Sequence, residues 1–391
     1  MAEAILAFDQ HPADTTSGFD LGWDHARHGL TPPAEHLVAG NPVRQGWQAG
    51  RAAFGRRTRA ATPAVQQWLT LRLTAWLHGR HFEALTVTPH YLAQLQASHC
   101  PITREALDAR TTALTRLCVD AGYAAGHLAA LSPRAAAAQD GMDLDALIEQ
   151  LHQLQVQPAT NTPIDTATAR AQARWNRTHP ELNLVQWSRM TVLRSFVTPL
   201  PHAQAAALPL LVLPPNRLRL RNPIQGLQVL VTLQLAKSGW SKRLPQLEAL
   251  MPHASARREL HNFFMCLMPR VIAAGRPDDA QAKRWALEDA WRHPLVQSHW
   301  KRFALMLDGA QADAILARAL DAGLMPQRAQ LHTDEQATDG WALQTLGFSA
   351  QARMVPAQAA AAQRAGLRTL LAHRQVPAIV VPRQLALPMD A

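Results

Sequence analysis

The sequence predicts a mainly α-helical protein with two helical regions, and three observations support this prediction. The 391 residues are enough to bury two apolar cores. Hydrophobic residues make up 48% and charged residues 17%, values that are typical of a globular chain. Apolar side chains recur at helical spacing in many segments, and Pro, Gly and Asn separate these segments.

The first predicted region, 1–155, begins with a stretch that we expect to consist of loops and short helices. Residues 1–60 are rich in Gly, Pro, Trp and His, and turn signals follow one another too closely for long elements. The pattern then changes, because Thr62 can act as an N-cap and Pro63 suits the first helical position. We predict a helix here that Gly79 ends.

A second helix of this region is predicted over 142–155. Its leucines and one isoleucine form a single apolar stripe, and Asp140 and Asp143 are the candidate caps. The polar segment 156–168, with two prolines, is predicted to be the linker to the second region, 169–391.

The second region is predicted to be a series of helices with one interruption. The segment 208–223 has short apolar runs followed by alternating Arg and Leu, which favours a small hairpin. The predicted helices are 166–178, 181–197, 225–238, 244–251, 255–268, 279–293, 295–307, 310–323 and 357–373.

The net charge of +10 is unevenly distributed. Residues 1–160 hold 12 Arg and 14 Asp or Glu, whereas 161–391 hold 27 Lys or Arg and 15 Asp or Glu. The basic surplus therefore belongs to the second region, although a GC-rich genome would also favour Arg. The phosphate loops and catalytic elbows that mark cofactor and hydrolase sites do not occur, so no cofactor is expected.

The sequence also predicts a cytoplasmic protein that does not enter a membrane. It lacks an uncharged apolar stretch of roughly 18 residues and a basic, apolar leader. The three cysteines, Cys100, Cys118 and Cys266, are odd in number and widely spaced, which argues against a disulfide framework.

Residues 99–139 carry a recognisable series of motifs. "HCPITREAL" has the form of a Cys-containing knuckle, "TRL" occupies 115–117, and "DAGYAAGHLAALS" supplies Gly122 and Tyr123 before an apolar run. In this order the segment resembles the HNH-type ββα-metal endonuclease module. The resemblance implies a small ββα element in the first region.

The resemblance also implies that the module has lost its chemistry. The family's Asp, which binds a divalent cation or orients the base, corresponds to Thr115, and its late Asn and Lys correspond to Ala136 and Gln139. Asp120 and His127 are the catalytic candidates if the site has been rebuilt. We otherwise expect Asp120 to be a solvated turn residue and His127 a hydrogen-bonded, half-buried one.

Two groups of residues have the types that bind metal ions. His99, Cys100, Cys118 and His127 are zinc-ligand types, but they lack the close pairs of structural zinc sites, since Thr103 stands where a second knuckle Cys would be. Buried, inert thiols are the alternative. The segment 20–36 concentrates His25, His28 and His36 among acidic residues, which would suit a metal or acid–base site if they folded together. We favour the alternative, a loop-rich polar surface packed by Trp23 and Trp47.

The strongest binding signal lies between 169 and 302, where 20 Lys or Arg face 7 Asp or Glu. Basic clusters beside tryptophans are typical of nucleic-acid grooves. The alternative is that the charges solvate helix faces and the tryptophans are core. Besides a predicted helix face with Arg170, Arg174 and Arg177, the predicted contacts are Arg217, Arg219, Arg221, Lys242, Arg243, Lys283, Arg284, Lys301 and Arg302.

Three functions follow from these patterns. The first is a non-catalytic nucleic-acid-associated protein of bacterial, phage or mobile-element type that retains a decayed HNH-like module. The second is an active nuclease with an altered site. The third is a helical subunit that binds other proteins and whose charge keeps it soluble.

Overall fold

The computed structural model describes residues 15–108, 112–156, 182–237, 239–274, 279–325 and 338–349. Over these residues the chain forms fourteen α-helices and one two-stranded sheet, which confirms the prediction of a mainly α protein. Among the described residues no helix is long and apolar enough to cross a membrane.

The two strands lie within the HNH-like segment, and the elements described before and after it are helices. Before and within this segment the elements are α1 (Thr15–Arg27), α2 (Pro42–Phe54), α3 (Pro63–Leu77), α4 (Pro89–Leu95), β1 (Ala113–Arg116), β2 (Leu128–Leu131) and α5 (Pro133–Ala138). After it they are α6 (Leu144–Val156), α7 (Leu184–Ser195), α8 (His202–Ala207), α9 (Pro223–Ala236), α10 (Trp240–Ala249), α11 (Ala254–Ala273), α12 (Ala280–Ala290), α13 (Pro294–Ala304) and α14 (Gly309–Asp321). Short 3-10 turns occur at Ala34–His36 and Leu343–Thr345.

The described residues form two compact units, each built from separate stretches of chain. Unit 1 comprises 15–96, 118–130 and 338–349, and unit 2 comprises the remaining described residues. Three described stretches of the predicted first region, 97–108, 112–117 and 131–155, therefore lie in unit 2, and they include most of α6. The predicted linker, 156–168, lies outside the described residues except for its first residue, and so do the predicted helices 166–178 and 357–373.

Unit 1 begins with two helices of 13 residues each, α1 and α2, where loops and short helices were expected. The expectation was wrong because the glycines within these two helices are helix-contact residues rather than turn signals. A Cβ at Gly22 would lie 1.9 Å from the carbonyl oxygen of Val43, and a Cβ at Gly46 would lie 1.9 Å from that of Phe19. Only glycine lets the two backbones approach so closely.

The helix α3 confirms the prediction made from Thr62 and Pro63. The side chain of Thr62 accepts a hydrogen bond from the backbone N–H of Val65, and Pro63 occupies the first turn. Val65 and Leu69 are buried with Leu21 of α1 and Val43 of α2 in one apolar cluster. This cluster is the core on which α1, α2 and α3 pack.

Unit 2 contains the predicted helix over 142–155, observed as α6. Asp143, one of the two candidate caps, accepts a hydrogen bond at 2.8 Å from the backbone N–H of Ala146. Leu147 and Leu151 are fully buried, and α6 packs against α7. The stripe is therefore part of the core of unit 2.

Another part of the core of unit 2 is aromatic and lies where α11 and α13 pack together. Phe263, Trp291, Trp300 and Phe303 form a chain of ring contacts with centroid separations of 5.1–5.4 Å. All four side chains are almost completely buried. Aromatic contacts of this kind contribute beyond the area that they bury.

The hairpin predicted over 208–223 does not form. The segment is irregular, with a turn at 216–217, and Arg217 has a φ of +64°. Leu218 and Leu220 are nevertheless buried. The alternation of Arg and Leu therefore predicted which side chains are buried, but not the secondary structure of the segment. Bonds to a neighbouring helix end take the place of strand pairing, since the side chain of Asn222 donates to the carbonyl of Ser195 at the end of α7.

Candidate nucleic-acid interface

Four of the predicted nucleic-acid contacts are exposed cations on the helices of unit 2. Lys242 lies on α10, Lys283 on α12, and Lys301 and Arg302 on α13. Each of these three helices packs against α11. Within the described part of the chain none of the four side chains forms an ion pair, so their charges face solvent.

The three arginines of the irregular segment are less accessible. Arg217, Arg219 and Arg221 are half-buried, while the leucines between them are buried. The backbone N–H of Arg221 donates to the carbonyl of Phe196 at 2.8 Å. The backbone of the segment is therefore fixed, and its three arginine side chains are only partly open to solvent.

Two further predicted contacts have structural partners. Arg243 donates to the carbonyls of Gln234 and Lys237, at 3.0 and 2.6 Å, and so binds the C-terminal end of α9. Arg284 pairs with Glu288 at 3.2 Å and donates to the carbonyl of Leu213. Because these guanidinium groups are engaged within the unit, they are poor candidates for phosphate binding.

The tryptophans that accompany the basic clusters divide into buried and half-buried ones. Trp291 and Trp300 belong to the aromatic core and cannot stack on a base. Trp240 packs on Phe264, and the ring of Trp285 contacts that of His99 edge-on, with the centroids 5.1 Å apart. The interleaving of basic and aromatic residues in unit 2 thus reflects its core at Trp291 and Trp300, whereas Trp240 and Trp285 are half-buried.

A buried ion-pair network surrounds Glu288 on α12. Its carboxylate receives the Arg284 and Arg104 guanidinium groups, at 3.2 and 3.3 Å, and the backbone N–H of Leu213 at 2.9 Å. Burial raises the pKa of Glu288, and the adjacent Arg284 opposes this rise. Removing one member of such a network leaves a buried charge without compensation, which is costly.

Arg104 connects this network to the knuckle-like turn of the HNH-like segment. Its guanidinium makes two hydrogen bonds of 2.8 Å to Asp289 and lies over the ring of Trp285. Arg189 donates to the carbonyl of Ile102 in the same turn and to Asp289. Sequence reasoning missed this cluster, because the residues are far apart in the chain and only the fold brings them together.

The turn around Cys100 is closed without a metal ligand at its second position. The backbone N–H of Thr103 points at the Cys100 sulfur, at 3.5 Å, and the Thr103 hydroxyl lies 3.2 Å from that of Ser132, the N-cap of α5. A search of the described residues for three or more His, Cys, Asp or Glu side chains that could hold a metal ion finds no group. Cys100 is fully buried, and the half-buried His99 packs edge-on against Trp285.

The two catalytic candidates differ in their exposure. Asp120 is exposed, whereas His127 is fully buried, with its ring 4.4 Å from that of Trp341. The adjacent Gly122 and Tyr123 donate from their backbone N–H groups to the carbonyls of Trp341 and His81. In unit 1 the Gly-Tyr turn therefore packs against other backbone segments, and His127 cannot meet a solvent-borne substrate.

The histidines of 20–36 are likewise held within unit 1. His25 bonds the carbonyl of Leu21, and His36 packs edge-on against Trp76. Burial lowers the pKa of both imidazoles. The nearby Asp24 is paired with Arg72. His28 lies 3.3 Å from the carbonyl of Ala60, and among the described residues these side chains form no group that could hold a metal ion.

Sequence reasoning missed a basic stretch in unit 1 because charge was averaged over the first region. Residues 36–82 contain seven Arg and no Asp or Glu. Arg56, Arg57 and Arg59 are exposed just beyond α2. A shorter counting window would have found this stretch in the sequence.

Comparisons with protein-family models, with curated proteins and with solved structures find no match to the chain. The assignment of a function therefore rests on the chemistry of the described surfaces.

Proposed function

We propose that the protein associates with nucleic acid and does not cleave it. The observation that carries the proposal is the set of four exposed cations on unit 2, Lys242, Lys283, Lys301 and Arg302, which form no ion pair among the described residues. Cations that are not neutralised by the protein bind phosphate groups and release counterions from the nucleic acid. We call these four residues the unit 2 cation set.

The charge of the chain around Lys242 favours the same partner. Residues 182–258 contain ten Lys or Arg and a single acidic residue, Glu248. Phosphate contacts of this kind carry little sequence information, so the binding is expected to depend mainly on charge. Arg217, Arg219 and Arg221 lie in this stretch and would add to its potential.

A loss of catalytic chemistry in the HNH-like segment supports the second half of the proposal. The order of β1, β2 and α5 is compatible with a ββα element, but Thr115 stands where the resemblance requires a carboxylate. A hard divalent cation prefers oxygen ligands with charge, which a hydroxyl does not supply. The remaining imidazole, that of His127, is buried.

The location of binding is tested by changing the unit 2 cation set to serine in the full-length chain. We expect a loss of affinity for a fluorescein-labelled duplex that is similar for unrelated sequences, and a log–log salt slope flatter by about 0.9 per contact removed. The matched control changes the three lysines to arginine, keeps the charge, and should bind normally. Unaltered duplex binding by the serine variant would exclude these cations.

The absence of cleavage is tested separately, with single- and double-stranded DNA and RNA in the presence of Mg²⁺ or Mn²⁺. We expect intact nucleic acid. Cleavage that disappears in Asp120→Ala or in His127→Ala would show that the HNH-like segment is an active site with new residues.

A protein-binding function is the second candidate, and one observation favours it. Met265 and Ile272 lie seven residues apart on α11 and are 55% and 60% exposed. Exposed apolar side chains on one helix face can mark a protein contact. Failure of the full-length protein to bind any nucleic acid at low salt would leave this candidate.

A further inference from the structure

We infer that unit 1 carries a separate surface for single-stranded nucleic acid, formed by three aromatic and three arginine side chains. The aromatic side chains are Phe19 and Trp23 of α1 and Phe54 of α2. The arginines are Arg56, Arg57 and Arg59, which follow α2. We call these six residues the arginine–aromatic surface. The inference rests on the proposed association with nucleic acid and adds a second site and a preferred form of substrate.

The aromatic side chains form a row that is only partly covered. The rings of Phe19 and Trp23 are stacked with centroids 6.3 Å apart, and the rings of Trp23 and Phe54 meet edge-on at 5.0 Å. Phe19 is 36% exposed, and the other two are half-buried. The 36% exposure of Phe19 distinguishes this row from Trp291 and Trp300 of unit 2, which are in the core. A partly exposed row of rings can receive unpaired bases, since every base has a face that stacks.

The arginines lie at the end of this row. The backbone N–H of Arg57 donates to the carbonyl of Phe54 at 2.8 Å, and that of Arg59 donates at 2.8 Å to the carbonyl of Arg27, one turn beyond Trp23. These bonds hold the segment 56–59 against the C-terminal ends of both helices. Bases on the rings would therefore place their phosphates within the range of long, flexible guanidinium groups.

The charges leave these arginines available. All three side chains are exposed, and among the described residues none of them forms an ion pair. The described acidic residues of α1 are Asp20, which is exposed, and Asp24, which is neutralised by Arg72. A polyanion is thus the complementary partner, and the exposed rings favour a strand with unpaired bases over a duplex.

The test uses the full-length protein and two fluorescein-labelled probes, an oligothymidine of about 20 nucleotides and a duplex of the same length. Changing Arg56, Arg57 and Arg59 to serine should weaken oligothymidine binding at least about tenfold and flatten its salt slope by about 2, since each contact to a single strand contributes about 0.7. The charge-keeping change of the same three residues to lysine should leave the slope unaltered.

A second variant separates stacking from charge. Phe19→Ala should weaken oligothymidine binding about fivefold or more, because one stacked base contributes about 1–3 kcal/mol. Its salt slope and its duplex affinity should be unaltered. Val38→Ala is the matched control, because Val38 is a 57% exposed apolar residue of the same unit outside the surface, and it should bind like the unmodified protein. Circular dichroism checks that each variant is folded.

The outcomes distinguish this inference from the proposed function. Suppose that serine replacement of the unit 2 cation set abolishes oligothymidine binding, and that the variants of the arginine–aromatic surface bind oligothymidine normally. The inference is then overturned and the proposed function remains. If no variant or probe shows any binding, both fail. Equal affinity for polyglutamate and oligothymidine, insensitive to Phe19→Ala, would show that the surface recognises charge alone and would overturn the single-strand assignment.

Discussion

Replacing Gly46 by alanine is expected to destabilise unit 1, although the same change in an open helix stabilises. The reason is the backbone contact between α1 and α2. A Cβ at this position would lie 1.9 Å from the carbonyl oxygen of Phe19, and since ordinary contacts begin near 3.4 Å the helices would have to separate by about 1.5 Å. A backbone carbonyl cannot rotate away as a flexible side chain can.

The magnitude follows from two opposing effects. Alanine gains about 1 kcal/mol over glycine in a helix interior. Inserting a methyl group into a packed contact costs about 1–3 kcal/mol and more when the neighbour cannot move. Because the overlap here is with the backbone of α1, we take a cost above this range, about 3–5 kcal/mol, and predict a net loss of about 2–4 kcal/mol in the free energy of unfolding of unit 1.

Urea unfolding followed by tryptophan fluorescence measures this change. Gly309→Ala is the matched control, since no atom lies within 4 Å of the added Cβ and the φ of Gly309 is not positive. That variant should be unchanged or slightly more stable. If Gly46→Ala is as stable as the unmodified protein, the close approach of α1 and α2 is not a feature of the folded chain.

Two further predictions concern burial. Trp300→Ala should lower the free energy of unfolding by about 3–5 kcal/mol in urea unfolding because it leaves a cavity in the aromatic core, whereas Leu85→Ala, at an 89% exposed site, should change it by less than about 0.5 kcal/mol; equal effects would contradict the described core. Burial lowers the pKa of His25 from 6.5, so as the pH falls the unfolded chain takes up the proton at a higher pH than the folded chain does. The contribution of His25 to stability is therefore complete above pH 6.5 and is lost as the pH falls below it. His25→Gln should reduce this loss in unfolding measured at about pH 7.5 and 5.5, and an unaltered pH dependence would show that His25 is not responsible.

Local signals in the sequence predicted the helix ends well. Thr62 and Asp143 cap their helices as expected, because a cap depends on a side chain and a backbone group only a few residues apart. The glycines of α1 and α2 were misread for the opposite reason. Whether a glycine marks a turn or a close contact depends on a second helix, which local patterns do not contain.

The candidate site divides in the same way. Lys242 and Lys301 are exposed, as expected for residues predicted to contact nucleic acid. The structural roles of Arg243 and Arg284, by contrast, depend on backbone carbonyl groups and on Glu288, which are distant in the sequence or not visible in a charge count. Charge counts alone cannot separate an arginine that binds phosphate from one that binds its own protein.

The salt dependence of duplex binding by the full-length protein tests the central claim most directly. If the unit 2 cation set and its neighbours contact several phosphates, the logarithm of the affinity should fall linearly with the logarithm of the salt concentration, with a slope of about −0.9 for each phosphate contacted, and the slope should be the same for unrelated duplexes. A folded protein that binds no duplex at low salt, or whose affinity does not change with salt, would contradict the claim.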